Sequence, residues 1–207
     1  MTGALSRPGD AAPNRFDRRR EKTREDLIEA AERVISSKGL HQTRIADIAA
    51  EADVGLGTFY LHFKTKNEIF MELVEQGASH MRLEIAEAKS AATDPADKLR
   101  IAIASILNAA AQEPELFRIV FGHTPAFLDL MNRVFDLFIE DFRADLTPIA
   151  GDQADTIAHL IVGMLSQAIS WMLDNPELSR EQLRNTIVNF ALGGLQHIAA
   201  RVGGADV

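Results

Sequence analysis

Apolar residues recur at helical spacing through most of the chain. Residues 1–14 hold Gly, Pro, Ser and Ala without apolar periodicity and read as a flexible tail. Leu27, Ala31, Val34 and Ile35 then mark one face of a helix expected over roughly 17–38, with Gly39 as its stop. Thr43 is placed to cap the next segment, where Ile45, Ile48, Ala49 and Ala52 line one face. Asp53-Val54-Gly55 breaks the pattern before a short segment over 56–63. A long amphipathic helix follows over about 66–88, carrying Ile69, Phe70, Leu73, Val74, Met81 and Ile85. Helices are predicted beyond it over 97–112, 115–121, 125–146, 152–173 and 180–201. Their stops are Glu113-Pro114, Gly122, Thr147-Pro148 and Asp174-Asn175-Pro176. No segment alternates as a half-buried strand does, and no internal repeat is present. The fold class is all-α, with about nine helices.

The stretch 43–70 reads as two short helices joined by a tight break, followed by a third. That is the layout of a helix-turn-helix, whose second helix enters the DNA major groove. Ile48, Ala49, Val54, Phe59 and Phe63 can bury between the helices. Leu56, Thr58, Tyr60 and His62 are then left on the exposed side. Thr, Tyr and His can donate to phosphates or base edges, and Leu can meet a thymine methyl. Lys64 and Lys66 follow, placed to neutralise phosphates. Each residue taken singly reads as ordinary core or surface; their joint spacing favours DNA.

The chain has 207 residues, no cysteine and a formal net charge of −8. The missing cysteines exclude a disulfide scaffold and any thiolate metal site. The acidic total hides an asymmetry. Residues 1–66 hold 12 Lys/Arg against 10 Asp/Glu, whereas residues 67–207 hold 10 against 20. Within 15–24 six basic residues face two acidic ones. A polyanion needs only such a local basic footprint, and an acidic remainder favours one docking orientation. No uninterrupted apolar stretch reads as long enough to span a bilayer, and residues 1–20 lack the apolar run of a secretory signal. A cytoplasmic protein without a membrane partner is expected.

The order Thr43, Ile48-Ala49, Val54, Gly57-Thr58-Phe59-Tyr60, His62-Phe63 and Lys66 resembles the DNA-binding domain of the TetR family of regulators. The resemblance covers about 43–70 and extends back to about residue 20; the later helices agree only in number, length and order. It implies phosphate contacts from Thr43, Tyr60 and Lys66, and contacts in or beside the groove from Leu56, Thr58 and His62. Arg44, Gly57 and Lys64 complete the expected DNA-binding set. Three positions depart from the family pattern. Asp53 stands at the usual turn glycine, Gly55 at the usual polar cap, and Ala46 where some members carry a base-reading Arg.

The resulting organisation is a basic tail over 1–16, a DNA-binding domain over 17–65, and a helical ligand-binding and dimerisation domain over 66–207. The last two helices carry broad apolar stripes. Ile157, Leu160, Ile161, Met164, Leu183, Ile187, Phe190, Gly194 and Ile198 are the expected homodimer interface, since the family dimerises through a four-helix contact and a palindromic operator needs two reading helices. Gly163, Gly193 and Gly194 read as points of close helix approach. By resemblance the middle helices would surround an inducer. Asn108, Phe117, Phe121, His123, Phe127, Met131, Phe135, His159, Gln167 and Trp171 are the candidates, suited to an apolar or amphipathic small molecule. Binding there would move the long helix after Lys66 and change the separation of the reading helices. Release of a repressor is the implied sign, with a ligand-dependent activator as the alternative. An enzyme is the rival class, but no dinucleotide loop, phosphate loop, paired Glu-x-x-His or nucleophile–base set is present, and no cofactor or metal is expected. A non-specific architectural DNA protein is the second rival, opposed by the acidic C-terminal half.

Overall fold

Asn14 caps the first helix of the described residues. Its Oδ1 accepts from the backbone N–H groups of Phe16 and Asp17 at 2.8 and 3.0 Å, and the Asp17 carboxylate accepts from Asn14 N in return. This reciprocal cap starts helix α1, Arg15–Gln42, two residues earlier than the expected start at 17. The structure, a computed structural model, describes residues 14–121 and 127–202, with side chains to residue 196. Of the expected tail, residues 1–13 lie outside that description, whereas Arg15 and Phe16 are helical. Helix α1 kinks at Gly39, whose φ of +79° is left-handed backbone that glycine adopts without steric penalty.

The chain folds as two compact units, 1–74 and 75–207. In the first, α1 packs on α2, Ile45–Glu51, and α2 on α3, Leu56–His62. Leu27, Ala31, Ile48, Phe59, Phe63, Ile69 and Phe70 form its core, all buried. Helix α4, Lys66–Lys89, begins in this unit and continues into the second.

The second unit adds α5, Pro95–Gln112; α6, Pro114–Phe121; α7, Leu128–Ala150; a 3-10 turn at Gly151–Gln153; α8, Ala154–Asp174; and α9, Arg180–Val202. The all-α expectation holds throughout the described residues. Helices α7 and α8 form an extensively packed hairpin, burying Leu130, Phe138, Phe142 and Leu146 with Ala158, Ile161, Leu165 and Ile169. Contrary to expectation, α7 does not stop at Thr147-Pro148 but runs to Ala150 and ends at Gly151, φ +51°. Pro148 and Ala144 are both exposed, so water can replace the bond proline cannot donate, and the Thr147 hydroxyl donates to Arg143 O at 2.7 Å.

The stretch 128–174 also contains a window long and apolar enough to cross a membrane by length and composition, which the sequence reading did not anticipate. Within the structure α8 turns Ile161, Leu165, Ile169 and Met172 into the unit's core, the usual fate of the apolar stripe on a packed helix. Three ion pairs join α4 to α7: Glu75–Arg133, Arg82–Asp141 and Lys89–Asp145. Their α4 members recur every seven residues, and Lys98 of α5 approaches Asp145 at 3.8 Å. The Asp141 hydrogen bond, opposed by burial, holds the Arg82 guanidinium pKa above its ordinary value.

Candidate DNA-binding face and effector site

The turn between α2 and α3 is built from backbone. Asp53 takes φ +53°, occupying the family's glycine position with a residue that tolerates left-handed backbone better than most. Asp53 N donates to Ala50 O, and Val54 N to Ala49 O at 3.0 Å. Gly55 caps α3 through its carbonyl alone, accepting from Thr58 N at 2.9 Å. Beneath the turn Phe59 is fully buried, with Phe63 at 5.8 Å and the edge of Tyr60 at 5.7 Å between ring centres.

That packing decides which expected DNA-binding residues face outward. Arg44, Leu56, Gly57, Tyr60 and Lys64 are exposed, while Thr58 and His62 are half-buried. Leu61, not among the expected set, is the most open side chain of α3 at 73%. It lies one turn from Gly57, on the same face of α3. Burial first, then Arg20 and Arg24, hold the His62 pKa below its ordinary 6.5. His62 therefore presents a neutral ring at pH 7.

Two expected phosphate donors are corrected. Thr43 is 2% exposed, and its hydroxyl donates to Gly39 O at 2.8 Å. It closes the helix before it; α2 is capped instead by Asp47, which accepts from Arg44 N at 2.9 Å. The Lys38 hydrogen bond, then that backbone N–H, hold the Asp47 carboxyl pKa below its ordinary value. The Lys66 ammonium donates to Leu40 O at 2.6 Å and Thr43 O at 2.9 Å, with His41 O at 3.4 Å. These carbonyls sit at the negative end of α1, where a cation is favoured. Replacing Lys66 by Met should therefore lower unfolding free energy by about 2 kcal/mol, since acceptors of a charged donor lose their partner. Urea denaturation followed by circular dichroism tests this, and an unchanged midpoint would refute the brace.

Arg24 is a brace the sequence reading missed. Its two terminal nitrogens meet both Glu72 oxygens at 2.9 Å, and its guanidinium lies 5.0 Å from the centre of the Phe63 ring. The Glu72 hydrogen bond raises its pKa further. Its signal was available, an arginine one turn before the first buried residue of α1, but its partner lies 48 residues away.

In the second unit, the residues expected around an effector do not converge. Asn108, His159 and Gln167 are exposed, His159 bonding back to Asp155 O at 2.8 Å, and Trp171 is 48% exposed. Each lies on the solvent side of its helix in the single chain. Phe121 and Phe127 are buried; Phe117, Met131 and Phe135 are half-buried, with Phe117 and Phe135 each 5.7 Å from Phe121 in a plain aromatic cluster. His123 lies outside the described residues. A small cleft opens elsewhere, lined by Ile85, Lys89, Ala102, Ile106, Phe138, Asp141 and Phe142, with about 210 Å³ of empty space including its mouth.

The expected dimer residues divide in two. Ile161 and Ile187 are 3% and 4% exposed and belong to the core of the unit, a correction that follows from apolar stripes wider than one contact. Leu160 and Phe190 are 67% and 75% exposed, Gly194 is exposed, and Ile157, Met164 and Leu183 are half-buried. The Ile198 side chain lies outside the description. A Cβ at Gly163, Gly193 or Gly194 would meet open space, so the close approach expected of them does not occur within the chain.

A short helix held on a buried aromatic base, with an open face and a backbone-built turn before it, defines a helix-turn-helix DNA-binding transcriptional regulator. Residues 27–73 match the profile of bacterial regulatory proteins of the tetR family. Over 222 aligned residues, covering 96% of each chain, the protein is 22% identical to the HTH-type transcriptional activator FasR of Mycolicibacterium smegmatis. Over 105 residues, 49% of each chain, it is 30% identical to the HTH-type transcriptional regulator AcrR of Shigella flexneri. The crystal structure of the regulator FadR from Bacillus subtilis, in complex with stearoyl-CoA, shares the fold. Its TM-score is 0.68 at 20% identity, covering 82% of this chain and 98% of that one. Residues 27–73 thus carry the DNA-binding domain of the tetR family. The relatives it matches are transcription regulators, not enzymes.

Proposed function

We propose that this regulator binds a palindromic operator as a cytoplasmic homodimer and is released from it by a small amphipathic ligand. The observation that carries the DNA reading is the open face of α3, where Leu56, Gly57, Tyr60 and Leu61 stand clear, with Lys64 exposed just beyond the helix, while Phe59 and Phe63 are fully packed beneath. In this reading 17–65 serve as the DNA-binding domain and 66–207 as the effector and dimer domain. Arg44, Tyr60 and Lys64 meet phosphates; Leu56, Thr58 and a neutral His62 meet the groove. Gly57, with open space where a Cβ would stand, lets DNA approach the backbone.

The effector site is assigned to the cleft between α4, α5 and α7, whose apolar wall of Ile85, Ile106, Phe138 and Phe142 ends at Lys89 and Asp141. FadR holds stearoyl-CoA, and a long apolar chain with a charged end fits that lining chemistry. The cleft is smaller than the roughly 300–1,000 Å³ of a typical ligand pocket. Binding therefore has to open it, and opening displaces α4. A ligand releases DNA only through its preference for the displaced state. FasR, an activator by name, marks the opposite sign as the second reading.

Competition binding decides the matter. Labelled duplex from the region upstream of the chain's own gene should resist an excess of mixed-sequence duplex, and a long-chain acyl-CoA should release it. Equal competition by both duplexes would leave only non-specific DNA binding.

A further inference from the structure

We infer that the first two turns of α1 form a second DNA-binding surface that grips the phosphate backbone flanking the groove occupied by α3. The inference rests on the DNA reading above and extends it to residues outside the helix-turn-helix. From Asn14 to Lys22 every residue is exposed, and the first fully buried side chain of α1 is Leu27. The start of α1 is thus a helix without a core to serve. Its ordering comes from the reciprocal Asn14–Asp17 cap.

Charge is distributed unevenly around this arm. Arg15, Arg18, Arg19 and Lys22 recur at i, i+3, i+4 and i+7, which places them on one face. Asp17 and Glu21 stand on another, and Asp17 is engaged in the cap. Among the described residues the carboxylate paired with the stripe is Asp26, which reaches Lys22 at 3.4 Å between two well-exposed side chains. Such a contact contributes little in water. Arg20 and Arg24, one turn apart, lie on the opposite side of α1 from the stripe, and the Arg24 guanidinium sits 5.0 Å from the centre of the Phe63 ring that follows α3, so the arm runs beside the last turn of α3.

The stripe therefore points away from α3, toward whatever lies beside its groove. In a complex, that neighbour is duplex backbone. About 10 Å of helix axis separates Arg15 from Lys22 at 1.5 Å per residue, enough to follow one strand past two phosphates. Contacts of this kind carry no sequence information but raise affinity and its salt dependence.

The test is fluorescence anisotropy with the full chain and a 40-base-pair mixed-sequence duplex, titrated across a range of NaCl concentrations. Arg15→Gln/Arg18→Gln/Arg19→Gln/Lys22→Gln keeps good helix formers at each position. It should flatten the slope of log K against log salt by about 2–4 per protomer and weaken binding about 10–100-fold at low salt. Arg18→Gln/Arg19→Gln should give about half the slope change. Arg100→Gln/Arg143→Gln, with the same loss of net charge in the second unit, should leave the slope at the wild-type value. A quadruple variant indistinguishable from wild type overturns the proposal. So does an equal loss in the Arg100/Arg143 variant, or arm-dependent binding of phosphatidylserine vesicles without a change on DNA. Absence of duplex binding by the wild-type chain would instead refute the DNA reading itself.

Discussion

Replacing Phe59 by alanine is expected to unfold the first unit under conditions where the second remains native. Phe59 is fully buried, and its ring is a shared neighbour of Tyr60 and Phe63. Truncating a buried Phe costs about 3–5 kcal/mol once the cavity is included. A unit this small has only modest stability to lose, because short chains bury a smaller share of their surface. Helices α2 and α3 are seven residues each, too short to persist without tertiary contacts. Amide exchange should therefore lose protection across α2 and α3 while α7 and α8 keep theirs, and duplex binding should disappear. Native protection in α3 of the variant would show that Phe59 is not the keystone of the reading helix.

A comparable effect is expected at the opposite end of the chain, and it leaves the fold of each protomer intact. Leu160 and Phe190 expose most of their surface, and open space surrounds Gly163, Gly193 and Gly194. Large apolar side chains beside small residues on two adjacent helices form the surface that a symmetry mate can cover. In a dimer, Phe190→Glu buries an unpaired carboxylate, and the double variant with Leu160→Glu adds a second. Two such charges should weaken dimerisation by more than 100-fold, given the several kcal/mol that a buried unpaired charge costs. Sedimentation velocity should find monomers at micromolar concentration with helical circular dichroism retained. Affinity for a palindromic site should fall with it, since one protomer reads one half-site. A double variant that remains dimeric would place the interface elsewhere.

The reading element could be found in the sequence because its signal is local. Ile48, Ala49, Val54, Phe59 and Phe63 must lie within a few residues of one another for the turn to close, and that spacing is written along the chain. The errors share a different origin. Thr43 and Lys66 have the right chemistry for phosphate, but backbone carbonyls at the end of α1 offer them oxygen acceptors too. No pattern in one sequence says which oxygen is nearer. Ile161 and Ile187 share the apolar stripes of the expected interface but belong to the core, because a wide stripe does not reveal where core ends and interface begins. Asn108, His159 and Gln167 were singled out as polar residues on apolar helices, and all three turned out to lie on the solvent side. Thr147-Pro148 reads as a stop from sequence alone, but a proline near an exposed helix end is tolerated.

The three rungs between α4 and α7 constrain how α4 can respond to anything that enters the neighbouring cleft. Glu75, Arg82 and Lys89 stand one above another, because seven residues bring an α-helix back to within about 20° of its starting direction. A turn of α4 by a single residue, about 100°, would carry all three side chains away from Arg133, Asp141 and Asp145 together. A tilt or a slide that keeps the same face forward can preserve them by flexing long side chains. The rungs act as a keyway: α4 is free to rock or slide along its track but not to spin within it.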